Sequence, residues 1–248
     1  MTSILPFAQR ACFIAGQAKS GTTLLAALLD NHPELLVLPE ETAYFPTVLT
    51  KYAPRGRRAQ FDYITKESRS NVLFAGPSVR GKRDYADFPR TEFLETFERA
   101  AFDSARIDND LLVLLVESYA ATLGIPLDRI KRWVEKTPAN RDHIATIVSR
   151  FPRAKILVTM RDPRAILAAQ TDFSEISRDP VSRWERELSD DEIGWIEWHC
   201  RDLMPEFGYE PRLNRHALRH WAKPIRGERP REYLKSRAYS LRDDWIRR

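Results

Sequence analysis

The feature that most limits the possible folds of this chain is a glycine-bounded loop between an apolar run and a helical pattern. Residues 12–16 form a short apolar run that ends at Gly16, and Gly21 follows five residues later. From Thr22 to Leu29 apolar residues recur at helical spacing, so the sequence predicts a buried strand, a tight loop and a helix in succession. Because the N–H groups at the start of a helix point outward, this arrangement favours an anion at the loop.

Strands and helices alternate along the rest of the chain. Further strands are predicted at residues 35–38, 132–136 and 154–160. Further helices are predicted at residues 91–102, 110–123, 140–151, from Pro163 onward and at 189–207. This alternation predicts an α/β fold with a P-loop-like parallel sheet and helices on both faces. Ligands of such sheets bind beyond the carboxyl ends of the strands, which directs attention to the residues that follow each strand.

The distribution of charge predicts a folded domain over residues 1–209 and a basic C-terminal extension over residues 210–248. Between Arg212 and Arg248 there are 12 Lys or Arg against 4 Asp or Glu. Such a tail is typical of a solvated extension, and binding of phosphate polymers or anionic lipid is the alternative. The two cysteines, Cys12 and Cys200, are too few for a disulfide framework and lack metal-ligand spacing.

Neither a secretory leader nor a membrane span is recognisable. The first apolar run is too short for a signal sequence, and the longest one, from Leu111 to Val116, is followed by Glu117. We therefore expect a soluble, cytoplasmic protein.

The first loop has a phosphate-binding pattern with one informative departure. Residues 16–23 read GQAKSGTT, and the spacing of the two glycines matches the nucleotide P-loop. A P-loop has lysine directly after the second glycine, whereas here Thr22 takes that position and Lys19 lies inside the loop. Hydroxyls of Ser20, Thr22 and Thr23 add donors. This arrangement suits a 5′-phosphosulfate better than a triphosphate, although a plain glycine turn with an exposed lysine is the alternative for the loop alone.

Four segments in order resemble the motifs of one enzyme family. Lys19–Leu24, Pro39–Thr42, Glu135–Pro138 and Arg161–Arg164 each follow a predicted strand. Together they resemble the motifs of sulfotransferases that use 3′-phosphoadenosine 5′-phosphosulfate (PAPS), in particular bacterial members related to the tyrosylprotein and glycan sulfotransferases. The resemblance extends from about residue 12 to residue 209.

The resemblance implies a role for each matching residue. Lys19 would contact the oxygen that bridges phosphorus and sulfur and would offset the charge that develops there. Glu41, with Glu40 as the alternative, would be the general base that takes the proton of the acceptor. Arg161 would bind the 3′-phosphate, and Lys136 would contact the acceptor or the sulfuryl oxygens. The residues implied to bind the 5′-phosphosulfate are Lys19, Ser20, Gly21, Thr22 and Thr23. The family's transfer needs no metal, so none is expected.

Two departures from the family pattern predict a shortened fold. The family usually has serine eight residues after the motif arginine, where this chain has Ala169, and Thr171 is a candidate substitute. Only Asp172 to Glu187 separates this helix from the C-terminal helix, where the family has a longer stretch. A degenerate, non-catalytic binding protein therefore stays open as an alternative function. A P-loop kinase is a further one, but it lacks the expected lysine, and Arg161 beside Asp162 would repel Mg²⁺.

The acceptor is expected to be bound by the region from Phe45 to Ile130. Aromatic side chains available there for apolar or stacking contacts are Tyr52, Phe61, Tyr63, Phe74, Tyr85 and Phe88. The mixture suits a hydroxyl or amine on a small molecule, a glycan, a lipid or a peptide. Nucleic acid is not expected as a partner.

Overall fold

A computed structural model describes residues 6–75, 85–171 and 183–213. Its contacts divide the chain into two compact units, Met1–Met160 and Arg161–Arg248. The predicted boundary between a domain at 1–209 and an extension at 210–248 remains a prediction, because nearly all of that extension lies outside the described residues. The described helices, at 6–75, 85–171 and 183–213, include none long and apolar enough to cross a membrane.

The first unit contains a four-stranded sheet in which all strands are parallel. The strands are β1 (Ala11–Gly16), β2 (Leu35–Val37), β3 (Arg132–Lys136) and β4 (Lys155–Thr159). Their order across the sheet is β2-β3-β1-β4. In the register of the sheet Ile14 lies opposite Lys136, and Gly16 lies opposite Thr159. The loops after β1, β2 and β3 therefore leave the sheet at one edge.

Both faces of β1 are covered, as the α/β prediction requires. Phe13 packs on one face in the main core, where its ring lies 5.3 Å from that of Phe45 and 5.5 Å from that of Trp133. On the other face Ile14 packs with Ala26 of the first helix. Successive side chains of a strand point to opposite faces, so a continuous apolar run is the pattern of a strand buried on both sides.

The helices follow the predicted order, with local differences at their ends. The α-helices are α1 (Thr22–Leu29), α2 (Arg57–Asp62), α3 (Val72–Ala75), α4 (Arg90–Phe102), α5 (Leu111–Thr122), α6 (Ile144–Arg150), α7 (Pro163–Thr171), α8 (Trp184–Glu187) and α9 (Asp190–Cys200). Shorter turns of 3₁₀ helix are Phe7–Arg10, Ala53–Arg55, Arg69–Asn71, Ser104–Arg106, Pro138–His143 and Pro205–Phe207, and π-helical turns are Tyr44–Tyr52 and Tyr63–Glu67.

Two predicted helices are shorter than the sequence pattern indicated. The helix expected over residues 140–151 is divided into a 3₁₀ segment, Pro138–His143, and α6. The helix expected over residues 189–207 ends at Cys200 in α9, and a separate short turn begins at Pro205. Proline has no N–H to donate, so the hydrogen-bond ladder cannot pass through that residue.

The described part of the second unit contains α7, α8 and α9. Its core contains Ala165, Trp184, Leu188 and Ile193. Ser189 caps α9 with a capping box in which its hydroxyl accepts from the N–H of Glu192 while the Glu192 carboxylate accepts from the N–H of Ser189. This confirms the helix start predicted at residue 189. The expected shortening falls partly on residues 172–182, which lie outside the described residues.

Candidate active site

The loop after β1, hereafter the anion loop (residues 16–23), can begin only with glycine. A Cβ atom added to Gly16 would lie 2.4 Å from Oγ1 of Thr159 and 2.8 Å from its carbonyl oxygen. Real Cβ atoms do not approach other atoms so closely, and the backbone oxygen cannot move aside. The end of β4 therefore packs directly against the start of the anion loop.

The anion loop curls because three of its residues, including Gly16, have positive φ. Lys19 has φ 70° and Gly21 has φ 100°. The N–H of Ser20 donates to the carbonyl of Gln17 at 3.1 Å, which closes the turn. The first hydrogen bond of α1 runs from the N–H of Leu25 to the carbonyl oxygen of Gly21. The N–H groups of residues 22–24, at the N-terminal end of the helix, therefore make no hydrogen bond within the helical ladder. The Lys19 side chain is exposed at this turn.

Hydroxyl groups predicted to bind the anion divide into exposed and buried ones. The hydroxyl of Ser20 lies 2.6 Å from the carbonyl oxygen of Gln17 and 2.6 Å from Oγ1 of Thr159. It stabilises the turn itself, and its predicted role as a ligand remains a prediction. Thr22 is buried, whereas Thr23 is exposed.

Sequence reasoning missed an arginine that supports the anion loop. Arg141, from the 3₁₀ segment after β3, donates from Nη1 to the carbonyl oxygen of Gly16 at 2.8 Å. The sequence around Arg141 does not mark it as different from other arginines, because its contact with Gly16 is formed only in the folded chain. The guanidinium holds the end of β1 in place and adds positive charge beside the loop.

The structure brings together two predicted site residues from different segments. Glu41 lies in the loop after β2, hereafter the β2 loop (residues 38–44), and its Oε1 is 2.7 Å from Nζ of Lys136 at the end of β3. The Lys136 side chain is only 7% exposed and that of Glu41 is 16% exposed. The second oxygen of Glu41 is 3.2 Å from Nη1 of Arg69, whose side chain is 75% exposed. Arg69 was not predicted, since its segment has no motif.

The two candidate carboxylates of the β2 loop have different partners. Glu40 accepts a hydrogen bond from the hydroxyl of Tyr85 at 2.7 Å, whereas Glu41 contacts Lys136. Glu41 thus contacts another predicted site residue, and Glu40 contacts a tyrosine of the predicted acceptor region. The assignment of the general base to Glu41, with Glu40 as the alternative, remains a prediction.

Glu135, directly before Lys136, is fully buried and accepts several hydrogen bonds. Its Oε1 accepts from the hydroxyls of Thr42 at 2.8 Å and Thr137 at 2.6 Å, and its Oε2 accepts from the side-chain amide of Asn140 at 2.7 Å. Burial raises the pKa of the Glu135 carboxyl, while these donated hydrogen bonds act in the opposite direction. The sequence indicated no role for this residue beyond a charged pair with Lys136.

The aromatic residues assigned to the acceptor region lie partly in the core. Phe61 and Phe74 are 2% and 8% exposed and pack against other phenylalanines, so their assignment to an acceptor pocket is wrong. Tyr52 and Tyr63 are half-buried and stack with ring centroids 4.5 Å apart. They remain candidates for stacking contacts.

In the second unit the two arginines of the motif after β4 lie in different surroundings. Arg164 is 4% exposed, lies 2.7 Å from carboxylate oxygens of both Asp162 and Glu197, and stacks over the Trp184 ring at 4.0 Å. It is a structural residue of this unit. Arg161 is half-buried and its role at a 3′-phosphate remains a prediction.

The positions that depart from the family pattern lie in α7. Ala169 is half-buried there. The side chain of Thr171, its candidate substitute, lies outside the described residues.

These observations define a class of protein before any comparison: a parallel α/β protein with a curled, lysine-bearing anion loop and a carboxylate–ammonium pair at the same edge of its sheet. The chain belongs to the sulfotransferase family, because the model of that family matches residues 12–211. Sulfuryl transfer in general follows from this membership, as does use of an activated sulfate donor.

No curated protein matched the chain. Among residues 6–75, 85–171 and 183–213, no three His, Cys, Asp or Glu side chains form a group that could hold a metal ion.

Proposed function

We propose that this protein transfers the sulfuryl group of PAPS to a hydroxyl or amine acceptor. The observation that carries the proposal is the Glu41–Lys136 pair, held 2.7 Å apart at the sheet edge from which the anion loop also leaves. β1 and β3 are neighbours, and Lys136 lies opposite Ile14, two residues before the loop begins. The ammonium group that pairs with the proposed proton acceptor thus lies at the end of the strand next to β1, which the anion loop follows.

The anion loop fits a terminal phosphosulfate. Its backbone curls at Lys19 and Gly21, and the amides at the start of α1 lie before the first helical hydrogen bond. Such amides bind phosphate oxygens without a metal. Lys19, exposed on this curl, supplies a positive charge for the oxygen that leaves sulfur.

In the proposed reaction the acceptor oxygen or nitrogen attacks sulfur in line with the bridging oxygen. The new bond to sulfur forms as the sulfur–oxygen bond to the phosphate breaks, and adenosine 3′,5′-bisphosphate leaves with that oxygen. Glu41 takes the acceptor's proton, and Lys19 offsets the charge on the leaving oxygen. Lys136 holds the Glu41 carboxylate and contributes positive charge beside the sulfuryl oxygens.

Arg69 marks the side from which the acceptor approaches Glu41. Both oxygens of Glu41 are paired, one with buried Lys136 and the other with Arg69. Since the Arg69 side chain is 75% exposed, it can leave at little cost, whereas the 7% exposed Lys136 cannot. We therefore assign the Oε2 side of Glu41 to the acceptor.

Calorimetry with adenosine 3′,5′-bisphosphate and with ATP tests the choice of donor. We expect the bisphosphate to bind without Mg²⁺ and more tightly than ATP, because the lysine that would reach β- and γ-phosphates is replaced by Thr22. Tighter binding of Mg²⁺–ATP would favour a kinase and contradict the proposal.

A search for sulfated products tests transfer itself. The protein would be incubated with PAPS and a pool of metabolites, glycans, lipids and peptides, and products would be sought by mass spectrometry. A product heavier by one sulfuryl group, absent without PAPS, is the expected result. Bisphosphate binding without any product would favour the degenerate binding protein.

A further inference from the structure

We infer that Glu135 is a positioning residue that fixes the β2 loop and thereby aims the carboxylate of Glu41. This inference rests on the proposed function, in which Glu41 is the base. Glu135 itself is buried and would touch neither donor nor acceptor.

The contacts of Glu135 capture three consecutive backbone amides that follow Glu41. The N–H of Thr42 donates to Oε1 of Glu135 at 3.4 Å. The N–H of Ala43 donates to the Thr137 hydroxyl at 3.2 Å, and that of Tyr44 donates to the Thr42 hydroxyl at 3.2 Å. Both hydroxyls in turn donate to Oε1 of Glu135. All three amides are thus held, directly or through one hydroxyl, by a single carboxylate oxygen.

The β2 loop needs this support because its backbone is unfavourable on its own. Ala43 has φ 51° and ψ 32°, the left-handed region. A residue with a Cβ atom pays about 1–2 kcal/mol for that conformation. No glycine lies between Leu38 and Tyr44, so nothing in the local sequence favours the bend. Contacts from outside the loop must therefore hold it.

The end of β3 grips the β2 loop at two consecutive points. Glu135 binds Thr42, and Lys136 binds Glu41. A shift of the loop at Thr42 would move the neighbouring carboxylate relative to Lys136. Because reacting groups must be held to a fraction of an ångström, a carboxylate that is misplaced by about 1 Å can lose about 10²-fold in rate.

A carboxylate suits this position because all the groups that hydrogen-bond to it are donors, and a carboxylate only accepts. Oε1 receives the hydrogen bonds of the two threonines, and Oε2 receives that of Asn140. The side-chain oxygen of Asn140 has no hydrogen-bond partner among the described residues. Glutamine at position 135 can replace the carboxylate if Asn140 turns its amide over, since that oxygen would then accept from the new amide group.

The test compares variants of the network with a matched control. Glu135→Ala removes the shared acceptor, and Thr137→Val removes one anchor while keeping the volume of the side chain. Glu135→Gln and Thr137→Ser are the conservative variants expected to restore function. Thr65→Val is the control, because Thr65 is about as buried as Thr137, at 4% against 3%, and its hydroxyl bonds only to carbonyl oxygens three and four residues earlier in the chain.

Two readouts separate positioning from a general loss of structure. Hydrogen exchange of the amides of residues 42–44 should accelerate about tenfold or more in Thr137→Val, and not in Thr65→Val. With PAPS and an acceptor from the product search, kcat should fall about 10²-fold, whereas KM for PAPS and Kd for adenosine 3′,5′-bisphosphate stay within about twofold. If Glu135→Ala does not fold, Thr137→Val still decides the question.

The outcomes are distinguishable from those that test the proposed function. Unchanged exchange at residues 42–44 in Thr137→Val, or faster exchange with unchanged kcat, would overturn the inference. Wild-type protein that makes no sulfated product counts against the proposed function instead. In that case the exchange data alone decide whether Glu135 fixes the β2 loop.

Discussion

The anion loop and the β2 loop leave the same edge of the sheet, yet their shapes are held in different ways. The anion loop bends at Gly16 and Gly21, and its turn is closed by a bond between Gln17 and Ser20. The β2 loop bends at Ala43 without glycine, and two of its amides are bound by residues 93 and 94 positions later in the chain. The turn of the anion loop is thus closed by a local bond and braced by Arg141 and Thr159, whereas the bend of the β2 loop has no glycine and depends on distant partners.

This difference teaches where a substitution will be felt. In the anion loop a change acts where it is made, on the ligand or on the turn. In the β2 loop a change at Thr137 or Glu135 acts through hydrogen bonds on a carboxylate they do not touch. The predictions below, from the largest expected effect to the smallest, test this contrast.

Lys19→Ala should reduce transfer to background, by more than about 10⁴-fold, because binding of the phosphosulfate and stabilisation of the leaving oxygen are both lost. Rates of product formation by mass spectrometry measure it. Lys131→Ala is the control. This exposed lysine lies just before β3 and pairs with Glu34, so it is at the edge of the sheet opposite to the anion loop. Transfer at half the wild-type rate in Lys19→Ala would remove the anion loop from the mechanism.

Glu41→Gln should lower kcat about 10²–10⁴-fold, because the amide cannot take the acceptor's proton. Binding of adenosine 3′,5′-bisphosphate should be unchanged, which distinguishes this loop from the anion loop. Glu40→Gln should retain most of the activity. If Glu40→Gln were the inactive variant, the base would be Glu40 and the role of the Lys136 contact would be wrong.

A pair of backbone substitutions compares the two loops directly. Gly16→Ala should destabilise the protein by about 1–3 kcal/mol, because its Cβ would collide with Thr159. Ala43→Gly should change stability by less than about 1 kcal/mol, since relief of the left-handed strain offsets the flexibility of glycine. Urea unfolding measures both. A large loss in Ala43→Gly would show that the bend does not strain the chain.

The smallest effect concerns the dependence of stability on pH. Burial raises the pKa of Glu135, so the folded state holds this proton more tightly than the unfolded state. Through this group the free energy of unfolding therefore falls as pH rises above the ordinary range of a glutamate. Glu135→Gln has no titrating group at this position. Its free energy of unfolding relative to wild type should therefore increase as pH rises through this range. Urea unfolding at a series of pH values checks it, and parallel curves would contradict it.

Much of the fold, and the positions of several candidate site residues at strand ends, could be predicted because their signals are local. The four strands and α1 follow from apolar runs and glycines, and Lys19 from its place in the loop. Glu41 and Lys136 were each predicted from a motif, but the contact between them was not, since spacing alone does not bring two loops together. Arg69 and Arg141 could not be found, because the sequence does not show which arginine reaches which carbonyl or carboxylate across the fold.

The hydrogen-bond network around Glu135 illustrates a second limit of prediction from the sequence. Its importance depends on Thr42, Thr137 and Asn140, each of which has an ordinary local sequence. A fully buried carboxylate is rare, yet burial of this side chain follows from packing and not from the strand pattern around it. Hydrogen-bond networks between distant segments are therefore the part of a site that a single sequence conceals.

The order of the strands also has a consequence during synthesis of the chain. β1 leaves the ribosome long before its two neighbours, since Ala11 pairs with Trp133 and Gly16 with Thr159. The motif GQAKSGTT is synthesised early, whereas the two strands that flank β1, β3 and β4, are synthesised much later. A nascent chain that stops before Thr159 carries the whole signature without a pocket, and its unpaired apolar strand is a segment that chaperones would bind.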